Sequence, residues 1–235
     1  WFDDLATANL IGKRGLGDVD VSNDGRNLYT VGLNDKKFYI IPTSGTLNST
    51  TIKRLDIFTA AIGNCPVTDI QPFGIGVSPT GRVLVGGVCS AATSLNNDDM
   101  KYYIWELNAA GTAFSLLTTL DVDNSPTMPG SNLNDAPNAA YIPRFNAWAQ
   151  WNDNWATAAR NTDANVGANE GKEVFPQPML SDIEFDGNDL VLGIRDRYGD
   201  QVPGTNRPNV ANGATSGTGE NPWPRGQGDV LRVCL

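Results

Sequence analysis

Three stretches of this 235-residue chain repeat one pattern, and this repeat constrains the fold more than any other feature. "DVDVSNDGRNLYTVG" (18–32) and "GIGVSPTGRVLVGG" (74–87) align position for position, so that Leu28 matches Leu84. "DIEFDGNDLVLGI" (182–194) is a more degenerate copy with a shorter turn. In each copy, alternating apolar residues precede a polar corner with a glycine, and a second apolar run follows. This pattern is typical of two antiparallel strands joined by a turn.

The first copy also resembles the start of a calcium loop, because Asp20 and Asp24 fall where an EF-hand places its first ligands. An EF-hand needs a bidentate Glu at the twelfth loop position, and here that position is Val31, inside a strand-like run. The second copy has Thr80 in place of Asp24, which removes the carboxylate. We therefore expect residues 22–25 to form a turn that binds no metal.

Further β-branched and aromatic runs follow the copies and predict more strands: 36–43, 51–58, 101–108, 112–122 and 228–235. Two units then have four short strands, and the third stops after one more strand. Sandwiches also contain regular short strands, but the repeat favours a propeller. We predict an all-β chain with about three blades of an incomplete or larger β-propeller, at 17–58, 73–122 and 180–235.

The chain resembles a known group of proteins through these repeats. "VSNDGRNLYTVG" and "VSPTGRVLVGG" are similar to the V-S-x-D-G-x-x-L-Y-V repeats, YVTN-like, of bacterial surface β-propellers. Together with "PQPMLSDIEFDGNDLVLGIRDRYGDQ" and "GDVLRVC", they resemble a stretch of large secreted bacterial proteins of the SdrD B-like, repeat-bearing type. The resemblance implies a propeller fold and a bacterial cell-surface setting. It implies no catalytic residues.

Charge and composition exclude several classes of function. A net charge of -9 with six lysines argues against nucleic acid and anionic membranes as partners. No apolar run approaches the ~20 residues that a membrane helix needs, so we expect no membrane insertion. The absence of histidine removes Ser-His-Asp triads and the common zinc hydrolase motifs. We expect a non-catalytic protein without a cofactor, unless calcium binds.

The three cysteines differ in their expected roles. Cys65 precedes the first strand of the second repeat and Cys89 ends its second strand, so the two lie within reach of a disulfide. Two buried thiols are the alternative. Cys234 is left over, and we expect any partner of it to lie on sequence outside this chain.

The densest acidic cluster surrounds "RDRYGDQ" (195–201). Glu184, Asp196 and Asp200 could hold calcium or act as an acid and base pair. In the alternative, Arg195, Asp196, Arg197 and Asp200 form a salt-bridged corner that orders the following loop. We favour the corner, because alternating charges usually neutralise each other.

Two insertions interrupt the blades, at 123–178 and 202–227. In the first, the spacing of Trp148, Trp151 and Trp155 predicts one face of a short helix. This face could stack sugar rings, but we favour a packing role, since burying large aromatic side chains is favourable. The second insertion is too polar for a core of its own and is expected to be a long loop.

These observations lead to three functional hypotheses. We favour a secreted or cell-surface protein segment that serves adhesion or the assembly of a matrix or filament. Its partners would be missing parts of the same polypeptide or neighbouring copies. The alternatives are a glycan-binding module that uses the tryptophans and a calcium-dependent, phosphoesterase-like propeller hydrolase that uses the acidic cluster.

Overall fold

The computed structural model describes residues 10–122, 148–153, 159–160, 173–174, 176–197, 223–224 and 228–235. Within these ranges the chain is all-β, which confirms that part of the predicted fold class. Its helical segments there are two three-residue 3-10 turns, Val67–Asp69 and Asn97–Asp99. In this described part of the chain, no helix has the length and hydropathy to span a membrane.

The first eight strands form two sheets with the same topology, in which each strand pairs antiparallel with the next one along the chain. Sheet 1 contains β1 (Leu16–Val21), β2 (Asn27–Gly32), β3 (Lys37–Pro42) and β4 (Lys53–Asp56). Sheet 2 contains β5 (Ile70–Val77), β6 (Val83–Cys89), β7 (Lys101–Leu107) and β8 (Phe114–Asp121).

The remaining strands build a third sheet and a small fourth one. In chain order they are β9 (Ala159–Arg160), β10 (Glu173–Val174), β11 (Pro178–Asp186), β12 (Asp189–Asp196), β13 (Trp223–Pro224) and β14 (Gly228–Val233). Sheet 3 has the antiparallel order β11-β12-β14. In the small sheet, β10 pairs antiparallel with β9 and parallel with β13. The two long insertions are therefore joined by strand pairing.

The polar corners of the first two copies each contain a serine at the equivalent position. Ser22 Oγ accepts a hydrogen bond from Asn27 N at 2.9 Å, and Ser78 Oγ accepts one from Arg82 N at 2.9 Å. Asp24 lies inside its own turn, where Oδ1 accepts from Ser22 Oγ at 2.7 Å. The first corner holds one more residue than the second between the paired strands.

Two hydrophobic cores separate the three sheets, and sheet 2 contributes to both. Val31, Phe38 and Ile40 of sheet 1 pack against one face of sheet 2. The other face of sheet 2 packs against sheet 3, where Leu190 and Leu192 are fully buried. Sheet 2 is thus the central layer, and the strand-like apolar runs of its sequence are continuous because both of its faces are buried.

The first strands of the three sheets lie next to each other, with β5 between β1 and β11. Glycine makes this close approach possible, since a Cβ atom at Gly76 would lie 2.5 Å from the carbonyl oxygen of Ile183. A bulge in β5 leaves the Ile75 N–H outside the β5–β6 ladder, and Asp18 Oδ2 of β1 accepts its hydrogen bond at 3.0 Å. This bond links sheet 1 directly to sheet 2.

Candidate functional site

The connections between strands differ sharply at the two ends of the sheets. At one end, which we call the loop face, the connections are 33–36, 57–69, 90–100, 122–177 and 197–227. At the other end, the turn face, they are 22–26, 43–52, 78–82, 108–113 and 187–188. Both long insertions, which contribute the strands of the small sheet, therefore leave and re-enter the sheets at the loop face.

A segment of the first insertion, 148–153, is anchored deep in the loop face. Trp151 N donates a hydrogen bond to Ser90 O at 2.9 Å, and its ring nitrogen Nε1 donates to Pro178 O at 2.7 Å. Ala149 N donates to Pro176 O at 2.9 Å. The segment thus lies between the β6–β7 loop and the start of β11, and it closes the core between sheets 2 and 3.

The short helix predicted for the tryptophan stretch is wrong over residues 148–153, which have no regular secondary structure. Their backbone N–H groups bond to other segments of the chain, so they do not follow the helical pattern. Trp148 and Trp151 are both buried, so their rings fill the core and do not face a sugar ligand. Trp155 lies outside the described residues.

A buried arginine holds the anchored segment from the side of sheet 3. The guanidinium of Arg197, just after β12, lies 4.5 Å from the ring centroid of Trp151. It donates to Asn152 O at 3.2 Å and to Asp153 Oδ1 at 3.0 Å. Asp153 also pairs with Lys13, which precedes β1. The network therefore joins the segment before β1, the 148–153 segment and the end of β12.

The electrostatic balance of Asp153 shows that this network favours the charged carboxylate. Burial alone would raise the pKa of Asp153. The hydrogen bond from Lys13 and the positive charge of Arg197 outweigh burial, so the pKa lies below its ordinary value. Asp153 therefore acts as an ionised bridge between two cations rather than as a proton donor.

A second charged group of the loop face is Lys36, in the β2–β3 turn, whose φ is 56°. Its Nζ donates hydrogen bonds to Thr68 O at 2.8 Å and to Val67 O at 3.2 Å, which links sheet 1 to the start of sheet 2. Burial and then the nearby charge of Lys13 lower the pKa of Lys36 to about 8. Lys36 therefore titrates near physiological pH.

The buried carboxylate of Asp69 orders the β6–β7 loop. Its Oδ2 accepts from Thr93 N at 2.8 Å and its Oδ1 accepts from Thr93 Oγ1 at 2.8 Å. The carbonyl of Asp69 accepts from Ser90 N at 2.8 Å. These bonds fix the first part of a loop whose tip, Leu95, is 64% exposed.

The structure contains the expected disulfide between Cys65 and Cys89. Both residues are buried in the core between sheets 1 and 2, and their Cα atoms are 5.9 Å apart. The bridge joins the loop before β5 to the end of β6, so it stiffens the same loop face. Cys234 is a free, exposed cysteine.

The acidic residues considered for calcium are not brought together. Glu184 and Asp196 lie toward opposite ends of the β11–β12 pair, because Asp196 pairs with Pro178, six residues before Glu184. That separation along a strand is about 20 Å. Asp196 is buried and its Oδ1 accepts from Gln177 N at 3.0 Å. Asp200 lies outside the described residues, within which no group of three metal-ligating side chains occurs.

Arg197 and Asp153 belonged to stretches that the sequence marked as polar, but their pairing with each other was not predicted. Arg197 of the expected salt-bridged corner reaches across to Asp153 of the tryptophan segment, 44 residues earlier in the chain, and Asp200 of that corner lies outside the described residues. Lys36 and Asp69 carry no sequence signal, because their roles depend on which loops the sheets bring to one end.

Comparisons with known proteins find similar sequences in a social amoeba. Colossin-A of Dictyostelium discoideum is 29% identical over 226 residues, which is 95% of this chain and 2% of colossin-A. Colossin-D of the same organism is 25% identical over 192 residues, or 81% of this chain and 16% of colossin-D. No protein-family model matches the chain.

These matches correct the expected origin of the sequence. The resemblance to bacterial SdrD B-like surface proteins is wrong, because the relatives found are Dictyostelium colossins. The chain spans only a small part of each of them. The repeat pattern that suggested bacterial surface proteins reflects the chemistry of strands and turns, which unrelated all-β proteins share.

Proposed function

We propose that the chain is a three-bladed part of a larger β-propeller in a non-catalytic extracellular surface protein, and that its loop face mediates adhesion or assembly. The observation that carries the proposal is the one-sided distribution of the connections. Both long insertions, their joining sheet and the anchored tryptophan segment lie at the loop face. Binding surfaces are commonly built from loops that a rigid sheet scaffold positions.

The arrangement of the sheets supports the propeller part of the proposal. Sheets 1 and 2 each have four antiparallel strands in chain order, as propeller blades do. The first strand of each sheet lies beside the first strand of its neighbour, so the sheets fan out from a common line. Sheet 3 follows the same order with three described strands.

Two further observations support an extracellular surface role. The buried disulfide favours an oxidising compartment, because disulfides are rare in reducing cytosol. Three cations of the loop face bond to other parts of the chain: Lys13 and Arg197 to Asp153, and Lys36 to carbonyl oxygens. These charges stabilise the loops, which suits a contact surface better than acid–base chemistry.

A binding experiment tests the loop face. Beads coated with the 235-residue chain are applied to extracellular matrix from Dictyostelium discoideum, the organism of the matched relatives, and to surfaces coated with the same chain. We expect retention on one of these surfaces. Leu95→Asp, at the exposed tip of the loop face, should reduce retention at least fivefold, because an aspartate removes apolar contact area.

The matched control is Leu47→Asp on the turn face, where the leucine is also more than half exposed. This variant should be retained as well as the unsubstituted chain. Equal losses from Leu95→Asp and Leu47→Asp, or beads that adhere to neither surface, would contradict the proposed role.

A further inference from the structure

Each sheet has a front, which faces the next sheet along the chain, and a back, which faces the preceding sheet. Val19, Ile75 and Ile183 occupy equivalent positions on the backs of sheets 1, 2 and 3. Val19 and Ile75 are two residues before the last paired position of their strands, and Ile183 is two residues before Phe185, which pairs with Leu190. Ile75 is 1% exposed and Ile183 is 2% exposed, whereas Val19 is 48% exposed.

The neighbouring positions on the three backs repeat this contrast. Val21 pairs with Leu28 in sheet 1, as Val77 pairs with Val83 in sheet 2 and Phe185 with Leu190 in sheet 3. Val77 and Phe185 are partly buried, while Val21 is 45% exposed. Val83 and Leu190 are buried, while Leu28 at the equivalent position is only partly buried. Leu16, at the start of the same surface, is 62% exposed. Along β1 and at Leu28 the back of sheet 1 is thus apolar and at least partly exposed, whereas its outer strands carry Tyr39, Arg54 and the Lys37–Asp56 pair on the same face.

The two buried backs show what covers such a surface. The back of sheet 2 packs on Val31, Phe38 and Ile40 of the front of sheet 1. The back of sheet 3 packs on the front of sheet 2, including Tyr102 and Ile104. In both interfaces the partner is the front of a four-stranded sheet with β-branched and aromatic side chains.

A second copy of this chain offers a poorer partner. Its unpaired front would be that of sheet 3, where Glu184, Val191 and Arg232 lie in one row across the strands. Arg232 pairs with Asp186 at 3.0 Å and with Asp189 at 2.9 Å. Covering these exposed charges with the apolar back of sheet 1 would remove them from water without new partners, which is unfavourable.

We propose that the back of sheet 1, formed by Leu16, Val19, Val21 and Leu28, is a docking surface for the front of a further sheet of the same repeat. That sheet is supplied by polypeptide outside these 235 residues. The matched relatives contain far more sequence than the region they share with this chain, which leaves room for such a sheet. The inference rests on the propeller part of the proposed function and is independent of the adhesive role.

The first test asks whether the back of sheet 1 is free in the isolated chain. Val19→Lys with Val21→Lys should change the Tm by less than about 2 °C, because exposed positions tolerate substitution. Ile75→Lys, at the equivalent buried position, should abolish the folded state. A double lysine variant that unfolds like Ile75→Lys would overturn the proposal, since the surface would then belong to a core within this chain.

The second test adds a sheet whose front can cover the back of sheet 1. A second copy of residues 59–122 is fused ahead of residue 10 of the full chain through a flexible Gly/Ser linker. Its front carries the side chains that cover the back of sheet 3. We expect amide hydrogen exchange in β1 and β2 to slow at least tenfold, and Val19→Lys to abolish the gain. The control Val191→Lys, on the front of sheet 3, should preserve it.

Unchanged exchange in β1 and β2 of a fusion whose added segment is itself protected would overturn the proposal. Sedimentation velocity of the unfused chain tests whether a second copy of the chain covers the back of sheet 1 instead. A monomer is expected at micromolar concentration. A dimer that Val19→Lys dissociates would make a second copy the partner and would also overturn it. If the beads do not adhere but the added sheet docks, the proposed function fails and this inference stands. If the beads adhere but the added sheet does not dock, this inference fails and the adhesive role stands.

Discussion

Single side chains connect elements that strand pairing alone leaves separate. The Asp18 carboxylate bonds the bulged Ile75 N–H of the next sheet, and the Trp151 indole bonds the Pro178 carbonyl. Burial raises the pKa of Asp18, while its hydrogen bonds from Ile75 and Val19 lower it, and burial wins. Leaving either buried backbone group without a partner would cost about 1–3 kcal/mol. A few polar residues therefore set how the sheets and loops fit together.

Replacing Cys65 and Cys89 together by alanine should lower the free energy of unfolding by about 3 kcal/mol. The bridge closes a loop with a sequence separation of 24 and so restricts the unfolded chain. Urea denaturation of the oxidised protein and the double variant measures the difference. Cys234→Ala, which removes the exposed thiol, serves as the control and should leave the midpoint unchanged. Equal stability of all three proteins would contradict the prediction.

Lys36 should titrate with a midpoint near pH 8, because the folded protein buries its ammonium group. The folded pKa of about 8 lies below the ordinary 10.5, so between these values the unfolded chain binds more protons. Stability from this residue therefore increases as pH rises from 8 toward 10.5. A ¹³C NMR titration of lysine Cε signals, with Lys36→Arg for assignment, measures the midpoint.

The direction of this pH dependence also predicts how the stability of the variant Lys36→Met changes with pH. The free energy of unfolding of this variant, relative to that of the unsubstituted protein, should fall as pH rises from about 7 to 10. The reason is that the unsubstituted lysine loses its buried charge over this range and its protein becomes more stable. Urea midpoints at both pH values give the comparison. A Lys36 signal that titrates together with the other lysines would show that the side chain is solvated.

Among the elements, the positions of the strands were predictable from the sequence. Which face of a sheet each side chain occupies was harder to predict. The alternation in 18–32 and the turn residues predict the hairpins, because period-two patterning and glycine corners act locally. Leu28 and Leu84 align in sequence, yet Leu28 lies on the back of sheet 1 and Leu84 in the core at the front of sheet 2. The run "VLVGGV" is apolar at every position, so it fits either register.

The predicted tryptophan helix failed for a different reason. Its spacing satisfies a helical period, but Trp148 and Trp151 are buried, and the backbone N–H groups of their segment bond to Pro176 and Ser90. Tertiary contacts outweighed local preference there. The residues that meet at the loop face could not be predicted from the sequence either, because their proximity depends on which strand ends lie at the same end of the sheets.

Close packing between β5 and β11 leads to a prediction about Gly76. Gly76→Ala should lower the free energy of unfolding by about 1–3 kcal/mol, because the new Cβ would meet backbone atoms of Ile183 that cannot move aside easily. Gly193→Ala is the matched control, since the nearest atom to its Cβ would be Asp182 Cβ at 3.3 Å, on the front of sheet 3. Thermal denaturation of both variants measures the contrast, and equal effects would count against it.

At the scale of the whole molecule, sheet 2 couples the other two sheets because each of its faces is half of a core. Few described contacts join sheets 1 and 3 directly, apart from the neighbouring strands β1 and β11. The three sheets should therefore unfold together or separate at one of the interfaces of sheet 2. The Asp18 bond and the disulfide reinforce the interface with sheet 1.

We predict that the three sheets form one cooperative unit. Ile104→Ala removes a buried side chain from the core that faces sheet 3 and should cost about 2–5 kcal/mol. If unfolding is cooperative, native-state hydrogen exchange should show the same loss of protection in β2 of sheet 1 as in β12 of sheet 3. Ile75→Ala, in the core that faces sheet 1, should give the reciprocal result. Loss confined to the sheet next to each substitution would instead show that the interfaces open independently, because the energy removed on one side of sheet 2 would not reach the other.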